Sequence, residues 1–97
     1  MAGTIDARLA ELGIELPEAA APVANYVPYT VTGNLVFVSG QVPIAKGEIQ
    51  YSGKLGEDVS IEDGQKAARL CGMNLIAQLK AACGGDLDRV TQVIKLG

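Results

Sequence analysis

The sequence predicts an α+β domain in which a β-sheet is covered on one face by a long helix. Three observations predict it. Gly33-Asn34 is a two-residue hairpin turn flanked by β-branched and aromatic residues. VSIEDGQKAARLCGMNLIAQLKAACGG, from Val59 to Gly85, carries apolar residues at helical spacing with charges on the other side. After the GGDLD turn, VTQVIKL (Val90–Leu96) again has the character of a strand.

Taken in order, Thr4–Leu12 (TIDARLAEL) places Ile5, Leu9 and Leu12 on one helical face, with Gly13 as a stop. LPEAAAPVAN follows, and Pro17 and Pro22 make it an extended connector. From Tyr26 the pattern is β. With Gly33-Asn34 as the whole loop, Thr32 opposes Leu35, Thr30 opposes Phe37, Pro28 opposes Ser39 and Tyr26 opposes Gln41. Tyr26, Pro28, Ser39 and Gln41 then share a face, provided the register does not slip. Pro28 has no N–H to give a ladder, so that end of the pairing is expected to be irregular. A short edge strand is expected near Glu48–Tyr51.

The long helix has Ser60 as its N-cap and Glu62 and Asp63 in its first turn. Its core stripe reads Ile61, Ala68, Cys71, Leu75, Leu79 and Ala82, with Glu62, Lys66, Arg69 and Lys80 opposite. Gly84 ends it as a C′ glycine. Small residues at Ala68, Cys71 and Gly72 would let it lie close on a sheet. A strand at 90–96 is expected to pair further, so residues 1–97 read as one domain lacking its C-terminal part: helix and connector over 1–25, then hairpin, edge strand, helix and strand over 26–97.

At 97 residues with a net charge of −3 and no basic run, the chain lacks the clustered cations of nucleic-acid binders, and nucleic acid is not an expected partner. Only four aromatics are present, Tyr26, Tyr29, Phe37 and Tyr51, so the core must come from Ala, Val, Leu and Ile. Cys71 and Cys83 lie ~18 Å apart along one helix, beyond disulfide reach. With no histidine, a zinc site is not expected. Buried reduced thiols, no signal-peptide pattern and no apolar run of spanning length lead to the expectation of a cytoplasmic protein with no membrane partner.

Leu35 and Phe37 point to one side of their strand and Val36 and Val38 to the other, so both sides call for burial. One helix covers one face. The other is expected to meet a second copy of the chain, the alternative being cover by the N-terminal helix and connector.

GNLVFVSGQVP, the polar glycine-containing loop, the helix ending NLIAQLKAACGG and LDRVTQVIKL together resemble the RidA/YjgF family of enamine/imine deaminases, also called endoribonuclease L-PSP. The resemblance runs from about Tyr26 to Leu96, with the N-terminal helix as in a longer-headed branch. It implies a chorismate mutase-like mixed sheet with helices on one face, assembled as a homotrimer with clefts between subunits. It also implies that a tyrosine thirteen positions before the serine lines the cleft, which here is Tyr26, with Tyr29 as the fallback. Ala24-Asn25-Tyr26 replaces the family's Gly-Pro-Tyr entry turn. The family's carboxylate-binding arginine, its partner glutamate and a nearby asparagine have no counterpart by motif up to Gly97, so no catalytic residue is assigned.

The resemblance implies hydrolysis of 2-imino or 2-enamino acids to 2-oxo acids and ammonia, without metal or organic cofactor. Substrate-binding residues are then Tyr26, Ser39, Gly40 and Gln41: hydroxyls to orient a carboxylate-bearing small molecule, and a glycine to let it approach the backbone. The residues by themselves also allow Ser39 and Gly40 as a strand-ending turn, Gln41 as a backbone cap and Tyr26 as a core-edge tyrosine. Arg69 reads as a surface charge. A ligand-binding trimer without turnover, and an RNA-cleaving protein, are the alternative functions.

Overall fold

The computed structural model describes residues 3–19, 27–46 and 48–97. In chain order they form helix α1 (Thr4–Glu11), strands β1 (Tyr29–Thr32), β2 (Leu35–Val38), β3 (Ile44–Ala45) and β4 (Glu48–Ile49), helix α2 (Ile61–Ala82) and a 3-10 turn at Leu87–Arg89.

The hairpin forms with the two-residue loop the sequence demands. Thr32 faces Leu35, Val31 faces Val36, Thr30 faces Phe37 and Tyr29 faces Val38. Gly33 takes φ +59° while Asn34 stays out of the left-handed region, which is the II′ arrangement whose twist matches that of the strands. A second two-residue hairpin pairs Ile44 with Ile49 and Ala45 with Glu48. The edge strand expected near Glu48–Tyr51 is thus real but only two residues long.

Ser60 caps α2 by accepting the Asp63 N–H at 3.1 Å. At the other end the Gly84 N–H reaches Ala81 O at 3.1 Å and the Gly85 N–H reaches Lys80 O at 2.8 Å. Gly84 sits at φ +68°, so this is the double closure that a left-handed C′ residue permits. The α2 helix packs on β1, β2 and β3. Val36 and Val38 are half-buried beneath it, whereas Leu35 and Phe37 on the opposite side of β2 are 45 % and 60 % exposed. One helix covers one face, as expected.

Three expectations are corrected. The centre of the buried stripe of α2 is Asn74, Ala77 and Gln78, about one residue round the helix from the predicted line. Cys71, Leu75, Leu79 and Ala82 are half-buried at its margin and Ile61 is exposed. An apolar count cannot locate a buried face whose centre is two amides. Gly72 is not at a close approach either: a Cβ built there would meet nothing within 4 Å. Residues 90–96 form no strand, and Val93, Ile94 and Leu96 are exposed. A strand exists only through a ladder partner, and none of the described residues offers one.

The fully buried apolar residues among those described are Ala77, Cys83 and Leu87. The radius of gyration is 14.3 Å, against about 13 Å for a compact chain of this length. No helix among the described residues is long and apolar enough to cross a membrane.

Candidate functional site

The end of β2 is organised around Ser39. Its N–H donates to Pro28 O at 3.0 Å. The proline opposite has no N–H to return, so the ladder stops here. The Ser39 hydroxyl takes over at that point, its Oγ lying 2.9 Å from Pro28 O and 3.0 Å from Val27 O. Its single proton is committed to those carbonyls, which leaves the oxygen's lone pairs as acceptors for anything arriving from outside. By the alternation of the hairpin, Ser39 shares with Leu35 and Phe37 the side that no described residue covers.

Gly40 follows, exposed, with no atom within 4 Å of where a Cβ would stand. Gln41 is half-buried and folds back, its Nε2 donating to Ser39 O at 3.2 Å and Gly40 O at 3.3 Å. The turn and backbone-cap readings of Ser39 and Gln41 are therefore realised. They are compatible with a binding role, because both bonds hold the backbone of this segment in one shape.

What aims the segment is α2. Asn74 is 3 % exposed, and its Nδ2 donates to both Val42 O and Ile44 O at 3.0 Å. Val42 O also receives the Ile44 N–H at 2.8 Å, closing a γ-turn around Pro43. The Pro43 carbonyl accepts the Gln50 N–H at 2.9 Å. Gln78, one helical turn from Asn74, is 2 % exposed. The carbonyls of Val42, Pro43 and Ile44 at the exit from the hairpin are thus tied to the helix or to their neighbours. Sequence reading passed over Asn74, although a carboxamide within an apolar helical run was the available signal.

Of the predicted binding residues, Ser39, Gly40 and Gln41 lie together in this turn. Tyr26 lies outside the described residues, as does its pairing with Gln41. Tyr29 pairs with Val38 and so stands on the helix-covered side, away from Ser39. Arg69 is on the flank of α2 that looks toward α1. No carboxylate or amine among the described residues is hydrogen-bonded to Ser39, so nothing there activates it as a nucleophile. Burial pushes the Cys71 thiol up from its ordinary value. The arrangement can orient a ligand through an acceptor oxygen, open glycine backbone and an apolar wall. Proton transfer needs other groups.

Comparison with known proteins places the chain in context. The family described as YjgF/chorismate mutase-like, putative endoribonuclease, matches residues 6–97. Protein TCP17 of Trypanosoma cruzi is 46 % identical over 96 residues, covering 97 % of this chain and 58 % of that protein. A crystal structure of a putative endoribonuclease from Shewanella oneidensis MR-1 superposes with a TM-score of 0.86 at 45 % identity, covering 94 % of this chain and 60 % of that one. A protein of unknown function from Agrobacterium tumefaciens does so with a TM-score of 0.81 at 50 % identity, covering 93 % and 54 %. The chain therefore spans a little over half the length of these relatives.

Proposed function

We propose, from the premise that the chain belongs to the YjgF/chorismate mutase-like family, that it builds one wall of a cleft at which 2-imino and 2-enamino acids are hydrolysed. The observation that supports this reading is the uncovered side of the hairpin. It runs from exposed Leu35 and Phe37 to an acceptor hydroxyl at Ser39 and open backbone at Gly40. A second copy of the chain docks against that side, three copies close the ring, and the cleft lies at the seam.

The chemistry asked of such a cleft is modest. Water adds to C2 of the iminium, and the C=N π pair moves onto nitrogen. One proton of the added water then passes from oxygen to that nitrogen, the C–N bond breaks as C=O forms, and the ammonia leaves with the bonding pair and takes up the water's second proton as ammonium. Ser39 Oγ accepts an N–H of the iminium and fixes its plane. The apolar wall receives the substrate's side chain and sheds water. This reading asks for an arginine to grip the carboxylate through its bidentate fork and for a group to move the proton, and it assigns neither to a residue among 1–97.

Ammonia release from freshly generated 2-iminobutanoate tests the reading on the full-length protein. Acceleration over buffer is the expected result, cut by about tenfold or more in Ser39→Ala, as for a lost orienting contact. No acceleration overturns it, and carboxylate binding without turnover would make the protein a ligand-binding member. RNA cleavage is the activity named in the descriptions of the family and of the Shewanella protein. A net charge of −3 with no basic run speaks against it here, and cleavage of RNA at low salt would reverse that preference.

A further inference from the structure

Helix α1 has no residue that is fully buried, and among the described residues side-chain ties at two points connect it to the segments beyond the hairpin. At its N-terminus Gly3 provides no side-chain cap. The Asp88 carboxylate, from the 3-10 turn beyond α2, does so instead. It accepts the N–H groups of Gly3 at 3.3 Å, Thr4 at 2.9 Å and Ile5 at 2.8 Å, three of the four donors a helix start leaves unpaired. Asp86 in turn holds that turn in shape by accepting the Asp88 N–H at 3.0 Å. The second tie is Lys80 Nζ to Asp6 Oδ1 at 3.3 Å, both side chains partly exposed.

Between these ties the two helices are not sealed. An open groove of ≈ 1030 Å³ lies between them, with Leu9 and Ile14 on one wall and Arg69 and Met73 on the other. Arg69 has no ion pair or hydrogen bond among the described residues. The contacts that hold α2 to the hairpin, through Asn74, Ala77 and Gln78, involve no atom of α1. An eight-residue helix is shorter than the roughly 12–15 residues at which isolated helices become even marginal. It therefore persists only while tied.

We propose that α1 is a strap, latched by Asp88 and by the Lys80–Asp6 pair, which opens as a unit and bares the flank of α2 around half-buried Met73 while α2 and the hairpin stay folded. Opening of this kind draws on the low end of the range of local stabilities within one fold. Arg69 is exposed with the strap closed as well, so the two states differ in the half-buried Met73 and the α2 surface beside it, covered in one and bare in the other.

Amide hydrogen exchange on the full-length protein tests the strap. In the unmodified protein the hydrogen-bonded amides of α1 are expected to exchange at least about tenfold faster than those of α2 around Asn74–Gln78. Asp88→Asn removes the charge and one acceptor oxygen. It is expected to speed α1 exchange by about fivefold more with α2 unchanged, and Lys80→Gln to act in the same direction by less. A common rate for both helices in the unmodified protein overturns the proposal. So does equal acceleration of both by either variant, no acceleration of α1 by Asp88→Asn, or failure of Asp88→Asn to fold, since each means that α1 opens only with the whole domain.

Discussion

Asn74 sits mid-helix, where a carboxamide gains nothing from helix propensity, and gives both its amide hydrogens to the chain leaving the hairpin. Asn74→Ala strips Ile44 O of that donor and leaves Val42 O with the Ile44 N–H alone. The expected cost is about 1–3 kcal/mol, read as a lower urea midpoint. Asn74→Asp should cost more at neutral pH, because a carboxylate oxygen would face two carbonyl oxygens in a buried site. Part of that excess should return on acidification as the new side chain becomes a donor. A comparison of the two variants' unfolding at pH 7 and pH 4 distinguishes this from simple loss of packing. Asp88 supplies a second pH signature. The Ile5, Thr4 and Gly3 amides hold its carboxyl below the ordinary carboxylate range. A depressed folded pKa means that its contribution is complete above the unfolded value of about 3.9 and is lost as pH falls through the lower folded value. Asp6, Lys80, Asp86 and Arg89 lie on the elements around it, so the clean measurement is a difference. α1 exchange in Asp88→Asn should lack the acid-induced rise that the unmodified protein shows.

The elements respond to substitution according to what their turns and caps require. Gly72 has a helical backbone and open space around its missing side chain. Gly72→Ala should therefore stabilise by about 0.5–1 kcal/mol through helix propensity and a less flexible unfolded chain, seen as a raised Tm. Gly33→Ala should act in the opposite sense, because its φ of +59° costs an L-residue roughly 1–2 kcal/mol. Ser60→Ala removes the α2 cap for about 1 kcal/mol.

The whole molecule shows more apolar surface than its own elements cover. Phe37 at 60 % exposure stands on a side of the hairpin that nothing among the described residues covers, beside Leu35. Phe37→Glu should leave the hairpin intact, since the side chain touches no core. If that side is where copies meet, the change should shift the sedimentation mass from trimer to monomer. An unchanged mass in both proteins would place the assembly surface elsewhere.

Local chemistry made much of this legible along the chain. Gly33-Asn34 prescribes the hairpin and its register, because a two-residue loop admits little else. Ser60 and Gly84 mark the ends of α2, because unpaired N–H groups and a left-handed terminus have few solutions. SGQVP at the end of that hairpin, with the strand before it, carried the resemblance to the family that the chain belongs to. What the linear pattern could not supply were relations between distant segments. The inward face of α2 depends on two amides meeting carbonyls some thirty positions away, so hydrophobic periodicity pointed about one residue off. The cap of α1 comes from Asp88, 83–85 positions further on, and no local rule reaches that far. Residues 90–96 have strand-like side chains but no ladder here, because a strand's hydrogen bonds belong to its neighbour and propensity alone does not create one.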